Sequence, residues 1–310
     1  MTAATGPSFV YLGTSDFAAR VLATLAAADH RPALVVAPPD RRSGRGRRLS
    51  PPPVASQARE LGLELHQIAS VNEDDSRRAL LQAGVDLGVV CAFGQLIGTD
   101  LLTALPMINA HPSLLPRWRG AAPIERAIMA GDDVTGTCVM RLTEGLDSGP
   151  VALRAELPIA ADDTYGSLAP RLADLSGALL AEALDLRASG DLETRFTEQD
   201  DRDATYAEKL ERGDRLVDPS APAAEVDRRI RALTPHVGAA VEIAGGERLG
   251  LRSGGVVSGG SPGAFTADGE TLLLGCADGA VRLAEVQPAG GRWMAAAEYL
   301  RGRGVPEMVR

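Results

Sequence analysis

Three short apolar runs, Phe9–Gly13, Ala33–Ala37 and Asp86–Ala92, constrain the fold more than any other feature of the sequence. Each has strand length and is apolar nearly throughout, the pattern of strands buried in a sheet. Between them lie stretches that read as helices, at Asp16–Ala28, Val54–Gly62 and Glu73–Ala83, and a short strand at Glu64–Gln67. Ser15 or Asp16 can cap the first helix and Asn72 the third. Strands alternating with helices imply a parallel sheet, hence an α/β, Rossmann-like first domain. The turn Gly13-Thr14-Ser15-Asp16-Phe17 lacks the second and third glycines of GxGxxG, so dinucleotide binding is weakly supported.

Further along, Pro106–Ala110 reads as the end of another strand, leading into His111-Pro112. Residues i and i+2 of an extended chain share a face, so Asn109 and His111 project to the same side. Pro112 biases His111 towards extended backbone. An amide and an imidazole are thus presented together at a strand end, where open α/β sheets gather their ligands. Downstream, the Gly-punctuated loop Leu142–Pro150 carries Asp147 between two predicted strands, Thr135–Leu142 and Val151–Leu157. An isolated Asn-x-His also suits a histidine satisfied at a strand end, and an isolated Asp-Ser-Gly suits a turn. A helix is expected over Ala122–Ala130 and a long amphipathic one over Asp162–Arg187.

The second part of the chain changes character. Glu193–Ala204 is polar and reads as a linker. After Pro235, five short runs (Ala239–Ile243, Leu249–Val257, Gly263–Thr266, Thr271–Gly275, Val281–Val286) are separated by Gly and Pro, which suggests a small β-barrel, OB-like in size. At 310 residues two domains are expected. No apolar run reaches membrane-spanning length, and Met1–Ser8 carries no basic or apolar signal segment. Cys91, Cys138 and Cys276 show no CxxC spacing, which fits reduced thiols in a cytoplasm. Four histidines at unrelated spacings give no expectation of a metal.

A net charge of −9 argues against indiscriminate nucleic-acid binding. Asp40–Arg48 is a local exception, with Arg41, Arg42, Arg45, Arg47 and Arg48 against Asp40 alone. Its Gly, Pro and Arg density predicts a mobile loop. Such a run is most often a solvated charge cluster, but its place directly off a predicted strand end favours a polyanion contact.

Taken together, Asn109-Ala110-His111-Pro112-Ser113-Leu114-Leu115-Pro116 and Asp147-Ser148-Gly149 resemble the catalytic signature of the 10-formyltetrahydrofolate-dependent formyltransferases. Gly13–Phe17 is similar to the family's Gly-Thr-Pro-Asp-Phe start, with Ser15 in place of proline. Phe93-Gly94-Gln95-Leu96-Ile97 resembles its Ala-Tyr-Gly loop, with Phe93 in place of tyrosine. Thr205–Leu210 resembles a family signature between the two domains, and Pro39–Gly46 and Gln287–Met294 resemble segments of the methionyl-tRNA branch. The resemblance implies a formyltransferase catalytic domain over residues 1–192, a linker over 193–210 and a β-barrel tRNA-binding domain over 211–310.

It further implies Asn109, His111 and Asp147 as the catalytic set, and Phe93, Gly94, Ser113, Leu114, Leu115 and Pro116 as folate-binding. Arg41, Arg42, Arg45, Arg47 and Arg48 would contact tRNA. The implied reaction is formylation of initiator methionyl-tRNA by 10-formyltetrahydrofolate, a cytoplasmic step of translation initiation, with no metal, membrane or obligate protein partner. Three alternatives stay open on the sequence: formyl transfer to an amino sugar nucleotide, hydrolysis of 10-formyltetrahydrofolate, and non-catalytic RNA binding.

Overall fold

The structure is a computed structural model and describes residues 8–43 and 48–307. Arg45 and Arg47 lie outside the described residues. In chain order the first elements are β1 (Phe9–Gly13), α1 (Asp16–Ala27), β2 (Leu34–Ala37), β3 (Arg41–Ser43), β4 (Arg48–Ser50), α2 (Pro53–Glu60) and β5 (Leu65–Gln67). Next come α3 (Asp74–Gln82), β6 (Leu87–Cys91), α4 (Thr99–Ala104), β7 (Met107–His111) and β8 (Arg119–Gly120). Then follow α5 (Pro123–Ala130), β9 (Val134–Arg141), β10 (Val151–Pro158) and α6 (Tyr165–Ser189).

Seven strands form one sheet in the order β10-β9-β7-β6-β1-β2-β5. The pairs β2–β5, β1–β2, β1–β6 and β6–β7 are parallel; β7–β9 and β9–β10 are antiparallel. The chain builds outward from β1 to β2 and β5, then returns to the other side of β1 with β6 and β7. Open α/β sheets bind their ligands at such a reversal, which here falls at the carboxyl ends of β1 and β6.

Strand side chains alternate between two apolar layers, as a period of two requires. Phe9, Tyr11, Val35, Ala37, Val89, Ile108 and Ala110 join Leu22, Val54 and Leu180 of α1, α2 and α6. Val10, Leu12, Leu34, Val36, Val90 and Met107 join Leu80 and Leu101 of α3 and α4. The strands are apolar throughout because both faces are covered. Ser15 caps α1, its Oγ accepting from Ala18 N–H at 3.3 Å. Ser15 in place of proline therefore adds a helix cap, and Asp16 complements the first turn.

Several expected boundaries move. Asn72 is not the cap of α3, which starts after Glu73 without a side-chain cap. The Asn72 side chain instead accepts from Gly98 N–H and donates to Leu96 O, bracing the loop after β6. β7 runs through His111 rather than ending at Ala110, because His111 pairs with Cys138 of β9. The long helix starts at Tyr165, three residues late, since Asp163 and Thr164 are spent capping it: Asp163 accepts from Ser167 Oγ and Thr164 Oγ1 from Ser167 N–H. α4 was not foreseen.

Residues group into two compact units. The first comprises Met1–Gly120, Val134–Pro158 and Ala169–Tyr206; the second comprises Ala121–Asp133, Ile159–Leu168 and Ala207–Arg310. After β11 (Tyr206–Ala207), where the first unit ends, the second contains α7 (Ala223–Ala232) and the strands β12 (Ala239–Ile243), β13 (Glu247–Val257), β14 (Phe265–Asp268), β15 (Thr271–Gly275) and β16 (Ala280–Gln287). They form an antiparallel sheet in the order β12-β13-β16-β15-β14, and β17 (Met294–Ala295) also pairs with β16. All five expected strands are present. Register shifts at Arg252 to Val256 bend the eleven-residue β13. Val226 and Ile230 of α7 and Tyr299 of α8 (Ala296–Arg303) pack with Leu249, Leu251, Leu272, Leu274 and Val286 in one core. These two helices were not expected from the sequence.

Candidate active site

The sheet gathers the candidate residues because β1, β6 and β7 are parallel and end on the same edge. His111 closes β7 and is buried. Asn109, two residues earlier, is half-buried on the same face, paired with Val90 on one side and Met140 on the other. The His111 ring is held through Nε2, which lies 2.8 Å from the Trp118 carbonyl oxygen. A carbonyl oxygen only accepts, so Nε2 carries the hydrogen and the neutral ring has its lone pair on Nδ1. Nδ1 in turn faces Asp147, 3.7 Å from Oδ2. That separation is beyond a hydrogen bond, and it places a carboxylate beside the nitrogen that would carry the positive charge if the ring took up a proton.

Asp147 is fixed from both ends. Its Oδ2 accepts the Gly120 N–H at 2.9 Å, and its carbonyl accepts from the Gln199 side-chain amide at 2.8 Å. Asp147 and Trp118 both adopt left-handed backbone, with φ of 46° and 64°. Such residues cost roughly 1–3 kcal/mol each and persist where surrounding contacts over-determine them. Here the two strained residues turn a carboxylate and a carbonyl towards one histidine. The Asp147 loop is also tied to the start of α4, where Thr99 Oγ1 donates to Glu144 Oε1 at 2.8 Å.

The remaining expected residues divide. Phe93 is buried with its ring in the apolar layer beside Val10, Leu12 and Met107. The Phe93 carbonyl accepts from Thr14 Oγ1 at 2.6 Å, joining the loops after β1 and β6, and Gly94 takes φ of 74°. Ser113 and Leu115 are buried: Ser113 Oγ donates to Arg117 O at 2.6 Å, and Leu115 packs with Cys138, Met140 and Val151. Those two side chains serve the fold, whereas Leu114 and Pro116 are partly exposed. Arg41, Arg42 and Arg48 stand exposed on the antiparallel pair β3–β4. No group of three or more His, Cys, Asp or Glu able to hold a metal ion occurs among the described residues.

Four contributors carry no signal in the sequence. The Trp118 carbonyl and the Gly120 N–H are backbone groups, which leave no residue-type signature. Gln199 sits in a polar stretch that composition assigns to a linker. Arg119, buried at 3% exposure, donates through Nε to Gln199 Oε1 at 3.0 Å and through Nη2 to Asp201 Oδ1 at 2.8 Å.

Residues 8–184 match the model of the family described as Formyl transferase, and residues 209–304 match that of Formyl transferase, C-terminal domain. A methionyl-tRNA formyltransferase of Ruegeria pomeroyi is 41% identical over 309 residues, covering 97% of this chain and 99% of its own. One of Parvibaculum lavamentivorans is 40% identical, covering 94% and 96%. Neither relative favours a sugar-nucleotide or hydrolytic activity. Among solved structures, HypX from Aquifex aeolicus in complex with tetrahydrofolic acid is similar with TM-score 0.67 at 19% identity, over 97% of this chain. This chain spans about half the length of that protein, 48%. WlaRD, a sugar 3N-formyl transferase, is similar with TM-score 0.63 at 14% identity, covering 92% of this chain and 99% of its own. At these identities the two structures establish a shared fold.

Proposed function

This chain belongs to the formyl transferase family, and on that premise we propose that it moves the formyl group of 10-formyltetrahydrofolate to the α-amino group of methionyl-tRNA, in the cytoplasm. The observation that carries the chemistry is the orientation of His111, with Nε2 committed to the Trp118 carbonyl and Nδ1 facing the Asp147 carboxylate.

An α-amine titrates near pH 8, roughly, so an appreciable fraction is already nucleophilic at neutral pH. Its nitrogen attacks the formyl carbon, the carbonyl oxygen becomes an oxyanion, and the attacking nitrogen becomes positively charged. Nδ1 of the neutral ring is an acceptor and takes up the proton released from that nitrogen, directly or through water. The ring is then a cation whose Nδ1–H donates to the oxyanion or to the departing N10, while the Asp147 carboxylate stabilises its charge. The Asn109 side-chain N–H supplies a second donor to the oxyanion; one such donor is typically worth about 3–4 kcal/mol. Collapse breaks the bond from formyl carbon to N10, N10 gains the proton, and formylmethionyl-tRNA and tetrahydrofolate result.

The folate would occupy the crevice at the carboxyl ends of β1, β6 and β7. The Gly94 turn exposes backbone there, and Leu96 and Leu146, 83% and 62% exposed, offer apolar contacts to a flat ring system. Leu114 and Pro116 complete that wall. The exposed Arg41, Arg42 and Arg48, with Arg45 and Arg47, supply phosphate attraction for the acceptor end of the tRNA. The test is a paired assay of methionyl-tRNA formylation and folate-only hydrolysis with the purified protein. Formylation that requires both substrates supports the proposal. Release of formate at the same rate without tRNA would refute it.

A further inference from the structure

The segment from Thr197 to Thr205 reads from composition as a linker, yet within the first unit it is stitched at four points to the two loops that carry the reacting groups. Thr197 and Val151 exchange backbone hydrogen bonds at 2.9 Å, fixing the chain just beyond the Asp147 loop. Gln199 Nε2 donates to the carbonyls of Asp147 and Gly149, at 2.8 and 2.7 Å. Asp201 accepts from Arg119 at 2.8 Å. Thr205 Oγ1 accepts from Trp118 N–H at 2.9 Å, and its carbonyl from Arg119 N–H at 2.9 Å.

The Gln199 amide is orientated without ambiguity. Both carbonyls demand donors, and the Arg119 guanidinium demands an acceptor, so NH2 faces the loop and Oε1 faces Arg119. A ring of contacts closes: Gly120 N–H to the Asp147 carboxylate, the Asp147 carbonyl to Gln199, Gln199 to Arg119, and Arg119 by the chain to Gly120. At the other end, Thr205 holds the Trp118 peptide whose carbonyl sets the His111 tautomer.

We propose that Gln199 is a positioning residue for the formyl transfer described above, and that the segment Thr197–Thr205 acts as a strap setting the separation of His111 and Asp147. It touches no substrate. It holds the Asp147 loop in a left-handed turn and keeps the Gly120 N–H aimed at the carboxylate. A glutamate at 199 would keep the size and gain charge towards Arg119. It would also present an acceptor to two carbonyls, so a side chain needed only for packing tolerates Gln199→Glu while a positioning one does not.

The experiment compares Gln199→Ala, Gln199→Glu and Thr205→Val with the wild type in three measurements: steady-state formylation, thermal midpoint and hydrogen exchange at the Gly120 amide. Both Gln199 variants are expected to lose ten- to hundredfold in kcat, with KM for folate and tRNA within threefold, a size of effect that misplacement by about 1 Å produces. The thermal midpoint stays within a few degrees, and the Gly120 amide exchanges at least tenfold faster. Thr205→Val is expected to lower kcat from the His111 side. Wild-type kcat and unchanged Gly120 protection in Gln199→Glu would overturn the proposal. Failure of all three variants to fold would overturn it too, by making the segment a folding element. Because the proposal rests on the formyl-transfer reading, the exchange measurement separates the two: a wild type that formylates nothing removes that reading, while Gly120 protection still decides the strap.

Discussion

Replacing Asp147 by asparagine isolates the charge of the carboxylate from its shape. Asparagine accepts left-handed backbone as readily as aspartate, so the φ of 46° is preserved. Its Oδ1 can accept the Gly120 N–H that Oδ2 accepts at 2.9 Å, and the Gln199 contact is to the main-chain carbonyl, which the substitution leaves alone. What disappears is a negative charge 3.7 Å from His111 Nδ1. At that distance a unit charge and an imidazolium attract by about 1 kcal/mol at the dielectric of water and about 4.5 kcal/mol at an effective dielectric of 20. The side chains are only 5% and 14% exposed, which argues for the upper part of that interval. If the ring is a cation in the transition state, kcat of Asp147→Asn falls by between roughly sevenfold and about two-thousandfold. The assay is formylation at saturating folate and methionyl-tRNA, with a thermal melt as control. Asp147→Ala should lose more, since it also removes the Gly120 acceptor and places a Cβ residue in the left-handed region without a polar side chain. A kcat for Asp147→Asn within twofold of wild type, at an unchanged melting point, would refute the view that His111 becomes charged during turnover.

Asn109→Ala should fold normally and lose about 10²–10³ in kcat, the usual loss on removing one oxyanion donor; near wild-type turnover would exclude the assignment. Alanine at Arg41, Arg42 or Arg48 should each reduce the salt slope of tRNA binding by about one unit and leave folate binding unchanged, as read from titrations at several salt concentrations. Arg45→Ala should lower kcat/KM for methionyl-tRNA more than any of these, and equal losses in folate binding and formylation would place it in the wrong site. Burial pushes the Cys91 thiol up to about 12, and burial also raises Cys138 and Cys276. The unfolded thiol ionises near pH 8.5, roughly, so between there and pH 12 the unfolded state binds fewer protons and stability falls with rising pH, by up to about 1.4 kcal/mol per pH unit for Cys91. Denaturant melts from pH 8 to 10.5 should show that slope flattened in Cys91→Ala. Leu22→Ala, in a fully buried position of α1, should cost about 2–5 kcal/mol in the same melts.

The parts of this molecule that were legible in its sequence are those where one residue type has one physical use. Apolar runs such as Phe9–Leu12 and Leu34–Ala37 had to be strands covered on both sides, and the period of two puts Asn109 and His111 on one face from the sequence alone. The illegible parts are those where polar side chains serve the interior. Buried polar groups must find partners, but which partner they find depends on the tertiary fold. α7 looks like a solvated run because of Glu225, Asp227, Arg228, Arg229 and Arg231, yet Val226 and Ile230 face a core and Asp227 is buried against Arg231 and Ser253. Asn72 looks like a cap and instead braces Leu96 and Gly98, a contact spanning more than twenty residues of sequence. Gln199 is the sharpest case. Nothing in Glu198-Gln199-Asp200 distinguishes it from a linker residue, because its role comes from two carbonyls presented by the strained Asp147 loop and a guanidinium presented by Arg119. The same reasoning applies to the histidine. The sequence supplies an imidazole and a carboxylate, but the direction of proton flow depends on which ring nitrogen is engaged. That is decided by a main-chain carbonyl at Trp118, turned inward by a left-handed residue. Under the proposed mechanism a side chain that holds main-chain groups in place belongs to the site's geometry as much as the groups that react, and Gln199 and Thr205 would stand in that position with respect to Asp147 and Trp118.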